Sequence, residues 1–120
     1  MIVMGIDDSI TMRKILAMSI QDHYQFIEAE NGEDGLKKLK NFPPIDCFIV
    51  DINMPILSGI DFIKEVRKLR QYAKTPIIVV TTETEQNLVD EGLKAGAQAW
   101  LQKPFEKEVL LSKIKELTKN

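Results

Sequence analysis

The 120 residues hold one cysteine, one histidine, one tryptophan and five prolines. A single thiol cannot form an internal disulfide. Cys47 lies inside an apolar run, so it reads as a buried, reduced thiol suited to a cytoplasm. His23, in the polar stretch "QDHYQ", has no second histidine or nearby cysteine with which to hold zinc; it reads as a surface residue. No apolar run is long enough to span a bilayer, and Met1–Ile6 is too short and has no basic start for a signal peptide. The expectation is a cytoplasmic protein with no membrane partner. The net charge is only −2, which argues against nucleic acid, whose phosphates select basic surfaces. No repeat, linker or low-complexity run interrupts the chain. Its length suits one domain over residues 1–120 with a real core.

What is present is a regular alternation. Ile2-Val3-Met4-Gly5-Ile6, Cys47–Val50 and Ile77–Val80 are nearly continuous apolar runs, as strands buried on both faces must be. Phe26–Ala29 and Ala99–Leu101 are short and mixed, as edge strands often are. Between them lie segments of helical period. Met12, Ile15, Leu16, Ser19 and Ile20 share one face, with Ser9 as cap. Asn31-Gly32 signals a turn before a helix through Leu36 and Leu39, stopped by Pro43-Pro44. Ser58 caps a helix carrying Ile60, Ile63, Val66 and Leu69. Thr82 and Glu85 have capping-box spacing for a helix to Ala95, which Gly96 ends. A last helix runs from about Lys107 through Leu110, Ile114 and Leu117.

Strands alternating with helices predict an α/β domain with a parallel sheet. Placing the three apolar strands centrally gives a doubly wound, five-stranded, flavodoxin-like sheet of order 2-1-3-4-5. In such sheets ligands sit beyond the carboxyl ends of the strands, where strand order reverses. The residues leaving those ends are Asp7-Asp8, Asp51, Thr81-Thr82 and Lys103. All are expected on one rim.

Three carboxylates in one pocket repel. At about 4 Å and an effective dielectric near 20, each pair costs roughly 4 kcal/mol, so three pairs cost on the order of 10 kcal/mol. Protonation would relieve this; a divalent cation would relieve it better. Hard oxygen donors without soft ligands fit Mg²⁺, which keeps several waters and works with phosphate. Lys103 is a point charge suited to a phosphoryl oxygen, and Thr81 offers a hydroxyl. Together these make a phosphoryl-handling site with a nucleophilic carboxylate. Each residue alone also has a plain reading. Asp7-Asp8 would favour a helix dipole, Asp51 would bind loop amides, Thr81 would be a strand residue and Lys103 a solvated one. The ordered set carries the chemistry.

The motifs "GIDDS" at 5–9, "FIVDINMPILSG" at 48–59, "IIVVTTE" at 77–83 and "KPF" at 103–105 resemble those of the response-regulator receiver domains of two-component signalling. The resemblance covers nearly the whole chain and is strongest to the single-domain chemotaxis regulators. It implies that Asp51 is the phosphorylated aspartate. It also implies that Asp7, Asp8, Asp51 and the Asn53 backbone carbonyl hold Mg²⁺, and that Thr81 and Lys103 bind the phosphoryl group, with a cis bond before Pro104. Trp100 stands where such domains usually carry a switching tyrosine or phenylalanine, so Thr81 and Trp100 are the expected switch pair. Asn53 and Glu83 occupy positions that tune dephosphorylation and resemble the pairing of fast-resetting regulators.

The expected activity is phosphorylation by a histidine kinase and self-catalysed loss of the phosphoryl group, without turnover as an enzyme. Output is expected through the face of the fourth helix, fifth strand and fifth helix, including Leu88, Gln102 and Lys107. The expected partner is a downstream protein such as a flagellar motor switch component, met by a monomer. A phosphorelay intermediate is the alternative within the family. Outside it, a Mg-dependent small-molecule phosphatase would want a second aspartate where Asn53 stands. A flavin-binding flavodoxin would want Ser, Thr and Gly where "DDSITM" stands.

Overall fold

The computed structural model describes residues 1–119; Asn120, the end of the expected 1–120 span, lies outside the described residues. Its strands are β1 (Ile2–Ile6), β2 (Gln25–Ala29), β3 (Cys47–Val50), β4 (Ile77–Thr81) and β5 (Ala99–Gln102). The helices are α1 (Ile10–Ile20), α2 (Gly32–Lys38), α3 (Gly59–Lys68), α4 (Gln86–Ala95) and α5 (Lys107–Thr118). All strand pairs are parallel, in the order β2-β1-β3-β4-β5. This is the doubly wound, flavodoxin-like arrangement expected from the apolar runs.

Two cores sandwich the sheet, as strands covered on both faces require. One joins Met4, Ile6, Phe48 and Val50 to Phe62, Ile63 and Val66 of α3. The other joins Val3, Cys47, Ile49 and Ile78 to Leu16 and Ile20 of α1 and to Leu110 and Ile114 of α5. Phe48 meets Phe62 and Tyr72 edge-on, with centroids 5.8 and 5.3 Å away, a favoured aromatic geometry. Cys47 is buried and free. Burial, with the Asp46 charge beside it, pushes its thiol up to about 12, so it stays protonated. His23 is exposed.

Several local expectations are corrected. Ile15 and Leu69 are exposed. Ile15 falls on the outer flank of α1, whose buried contacts run through Leu16, Ser19 and Ile20. Leu69 is extended after α3 ends and leads into a 3₁₀ turn at Arg70–Tyr72. Phe62, absent from the expected stripe, is fully buried instead. Asn31 is the cap of α2 rather than a turn residue, its side chain accepting from the Asp34 N–H. That helix closes at Lys38, short of the prolines. The Thr82–Glu85 capping box does not form; α4 starts at Gln86 and Glu85 makes no side-chain cap. Two hydrogen bonds draw the preceding segment out of helix. The Glu83 N–H donates to Thr81 Oγ1 at 3.3 Å, and the Trp100 indole N–H donates to the Glu83 carbonyl at 3.2 Å.

Candidate functional site

Register brings the polar residues together. Ile6 pairs with Val50, so Asp7 and Asp51 leave adjacent strands at the same level. Thr81 pairs with Gln102, so Lys103 emerges beside it. A carboxylate oxygen from each of Asp7, Asp8 and Asp51 lies within 4.8 Å of the others. Asp7 and Asp51 are only 2% and 8% exposed, and Thr81 is fully buried; Asp8 is exposed.

Asp7 Oδ1 accepts from the Ser9 N–H at 2.9 Å, just ahead of the Ser9 cap of α1. Asp51 Oδ1 accepts from the Ile52 N–H at 2.8 Å. The second oxygens face Lys103, whose Nζ donates to Asp7 Oδ2 at 2.8 Å and to Asp51 Oδ2 at 3.4 Å. Burial and the Asp7 charge push the Asp51 carboxyl above its ordinary range, while Lys103 and the Thr81 hydroxyl pull it partly back. Burial pulls the Lys103 amine down, but the Asp7 hydrogen bond and the Asp51 and Asp7 charges outweigh it and leave the amine raised. The Lys103–Pro104 peptide is cis.

Asn53 and Glu83 lie on the loops that follow β3 and β4, two residues after Asp51 and Thr81. Asn53 Nδ2 donates to Glu83 Oε1 at 2.6 Å, linking the loops after β3 and β4. Trp100 is half-buried and lies over Gly92 of α4, where an added Cβ would come within 2.6 Å of the ring. Of the expected output face, Gln102 and Lys107 are exposed, while Leu88 is partly buried against the core.

Sequence reasoning missed Arg13. Its Nη1 donates to the Asp7 carbonyl and its Nε to Glu28 Oε1, both at 2.8 Å. The available signal was its place one turn after Ser9, on the helix that opens at the acidic rim.

The donor set suits a small hard cation. Three of the four expected ligands are carboxylates that converge, two of them buried, and among the described residues the Lys103 amine pairs with those two. Such a set fits Mg²⁺ better than a softer metal.

Residues 3–115 match the response regulator receiver domain family. The chain belongs to this family. It is 36% identical over 114 residues to the chemotaxis protein CheY homolog of Campylobacter jejuni, covering 93% of this chain and 88% of that one. It is 37% identical over 111 residues to the chemotaxis protein CheY1 of Helicobacter pylori, covering 91% and 90%. The solved structure of Vibrio cholerae chemotaxis protein CheY4 is 38% identical and covers 97% of both chains, with a TM-score of 0.91. Receiver domains are signalling phosphoacceptors rather than turnover enzymes; they work with histidine kinases and downstream targets and bind Mg²⁺ at an acidic pocket. Among the described residues, no helix of this receiver is long and apolar enough to cross a membrane.

Proposed function

We propose that this chain is a single, monomeric, cytoplasmic receiver domain that accepts a phosphoryl group on Asp51 from a histidine kinase and resets by hydrolysis. The observation carrying this reading is the Lys103 amine shared between Asp7 and Asp51. Such a pocket demands positive charge and accepts a phosphoryl group only where cations stand ready.

The chemistry follows from the groups present. An unprotonated Asp51 oxygen attacks the phosphorus of a phosphohistidine. The P–O bond forms as the P–N bond breaks, and its electron pair returns to the imidazole. Asp7, Asp8, Asp51 and the Asn53 carbonyl would hold Mg²⁺, which would neutralise charge on the carboxylates and phosphoryl oxygens. Lys103 turns its amine from the carboxylates to a phosphoryl oxygen. The Thr81 hydroxyl donates to another. Water later attacks phosphorus, releasing phosphate and restoring the Asp51 carboxylate. The Asn53–Glu83 bond at 2.6 Å holds two polar groups at the mouth of the pocket, where they govern the approach of that water and favour a short-lived mark.

The signal leaves through Thr81. Its hydroxyl holds the Glu83 N–H, and the Glu83 carbonyl holds the Trp100 indole. Movement of Thr81 toward a phosphoryl oxygen therefore pulls the loop that seats Trp100. The face of α4, β5 and α5, including Gln102 and Lys107, changes shape with it. The likeness to chemotaxis proteins supports a downstream partner such as a flagellar motor switch component. A relay role draws support from α1, which exposes Ile10 next to the acidic rim and Met18 two turns further along; a partner's histidine-bearing helices would cover them.

The test is intact-mass measurement after incubation with acetyl phosphate, with and without MgCl2. The expected result is a gain of one phosphoryl mass that needs Mg²⁺, is absent in Asp51→Asn and decays within minutes. No gain in the wild type overturns the reading; a gain persisting for hours overturns the fast reset.

A further inference from the structure

Arg13 is held in place more firmly than a surface arginine. Its side chain is 11% exposed and its Nε sits 2.8 Å from Glu28 Oε1. The Glu28 carboxylate is half exposed, but its backbone is held in β2, where its carbonyl accepts from Lys38 Nζ at 2.6 Å, and that amine also faces Asp34 Oδ2 at 3.3 Å. The network ties α1 to β2 and α2. Its free end is the Arg13 Nη1, which donates to the Asp7 carbonyl at 2.8 Å.

That carbonyl belongs to the peptide joining Asp7 to Asp8. Asp7 is anchored elsewhere too: its N–H donates to the Ala29 carbonyl, and its two carboxylate oxygens accept from Ser9 and Lys103. Asp8 differs. It is exposed, yet its carboxylate converges with those of Asp7 and Asp51. The orientation of the Asp7–Asp8 peptide sets where that side chain leaves the backbone, and Arg13 fixes this orientation.

We infer that Arg13, oriented by Glu28, is a positioning residue for divalent-cation binding: it locks the Asp7–Asp8 peptide so that the Asp8 carboxylate converges with those of Asp7 and Asp51. The inference rests on the reading of the pocket as a Mg²⁺ site. Two effects oppose each other. The Arg13 charge alone would repel a cation, so removing it would tighten binding. Its direct partner Glu28 neutralises that charge at 2.8 Å, and the fork faces a carbonyl rather than the carboxylates. Geometry therefore wins, and losing the fork weakens binding.

The experiment is titration with MgCl2, followed by the amide NMR shifts of Asp8 and Asp51, on wild type, Arg13→Met and Arg13→Lys below their melting temperatures. Loss of an orienting partner behind metal ligands costs roughly tenfold or more in affinity. Arg13→Met is expected to bind Mg²⁺ about tenfold more weakly. Arg13→Lys, which keeps one donor, is expected to fall between it and wild type. The metal-free amide shifts of Asp8 and Ser9 are expected to move in Arg13→Met while those of β4 and β5 stay. Should Arg13→Met fail to fold, Arg13→Lys alone decides, because it keeps the charge and loses the fork. Wild-type affinity in Arg13→Lys, or tighter binding in Arg13→Met, overturns the inference. A wild type that takes up no Mg²⁺ overturns instead the reading beneath it.

Discussion

Replacing Lys103 by methionine separates the two cations that this pocket can hold. The amine lies 2.8 Å from Asp7 and 3.4 Å from Asp51, with 12% of its side chain exposed. At an effective dielectric near 20 each contact is worth about 5–6 kcal/mol of gross attraction, much of it offset by desolvation of the charges. Removing one member of a buried charge set costs about 3–5 kcal/mol, because the others stay uncompensated. Metal-free Lys103→Met should therefore lose about 3 kcal/mol of stability, less whatever Asp51 recovers by taking up a proton. Its affinity for Mg²⁺ should move the other way. A unit charge about 4 Å from a divalent ion costs roughly 2 kcal/mol even at the dielectric of water, or about thirtyfold in affinity. Urea unfolding across a MgCl2 series reads both effects, since a ligand that binds the folded state stabilises it by mass action. The stability gap from wild type should narrow as Mg²⁺ rises. A gap independent of Mg²⁺, or unchanged or weaker Mg²⁺ affinity, would refute the competition.

Asp51 binds its proton more tightly folded than unfolded. Its contribution favours folding below the unfolded value near 3.8 and is lost as pH rises through the raised one. Mg²⁺ needs the unprotonated form, so the melting-temperature gain from MgCl2 should shrink as pH falls through the raised Asp51 value and grow above it; a gain constant with pH would count against this. Lys103 is raised above 10.5, so its stabilisation is full below that pH and fades only as pH climbs through the higher value. Ile56 has φ 71° and is 73% exposed. A β-branched residue is poorly suited to that left-handed backbone, which costs about 1–2 kcal/mol, so Ile56→Asn should add about 0.5–1 kcal/mol of stability, read as a higher urea midpoint; a lowered midpoint would contradict the strain. Gly92→Ala puts a Cβ 2.6 Å from the Trp100 ring, so the indole should leave the Glu83 carbonyl and its emission shift to the red. An unchanged spectrum would show that the ring is not seated by this contact.

Sheet order and the pocket were legible because both follow from the strands. Continuous apolar runs mark β1, β3 and β4 as central, and register then fixes Asp7, Asp51, Thr81 and Lys103 at one edge. The helix ends were less legible. Local spacing at Thr82 and Glu85 fits a capping box, but Thr81 and Trp100, one of them distant in sequence, claim Glu83 instead. The face of α3 was misread at Leu69 because a 3₁₀ turn follows the helix and breaks its period. Arg13 escaped notice because its role depends on Glu28 of β2 and a backbone carbonyl, neither of which a residue pattern displays. The link between Asn53 and Glu83 joins two loops thirty residues apart, a contact that the residue pattern at either position does not display.

Signalling by this pocket depends on the Asp51 side chain. Borohydride reduction of the protein after acetyl phosphate and MgCl2, followed by peptide mapping, converts an aspartyl phosphate to homoserine and so locates it. Homoserine at position 51, absent when Mg²⁺ is withheld, is the predicted result. Homoserine at another aspartate, or at none, contradicts the account.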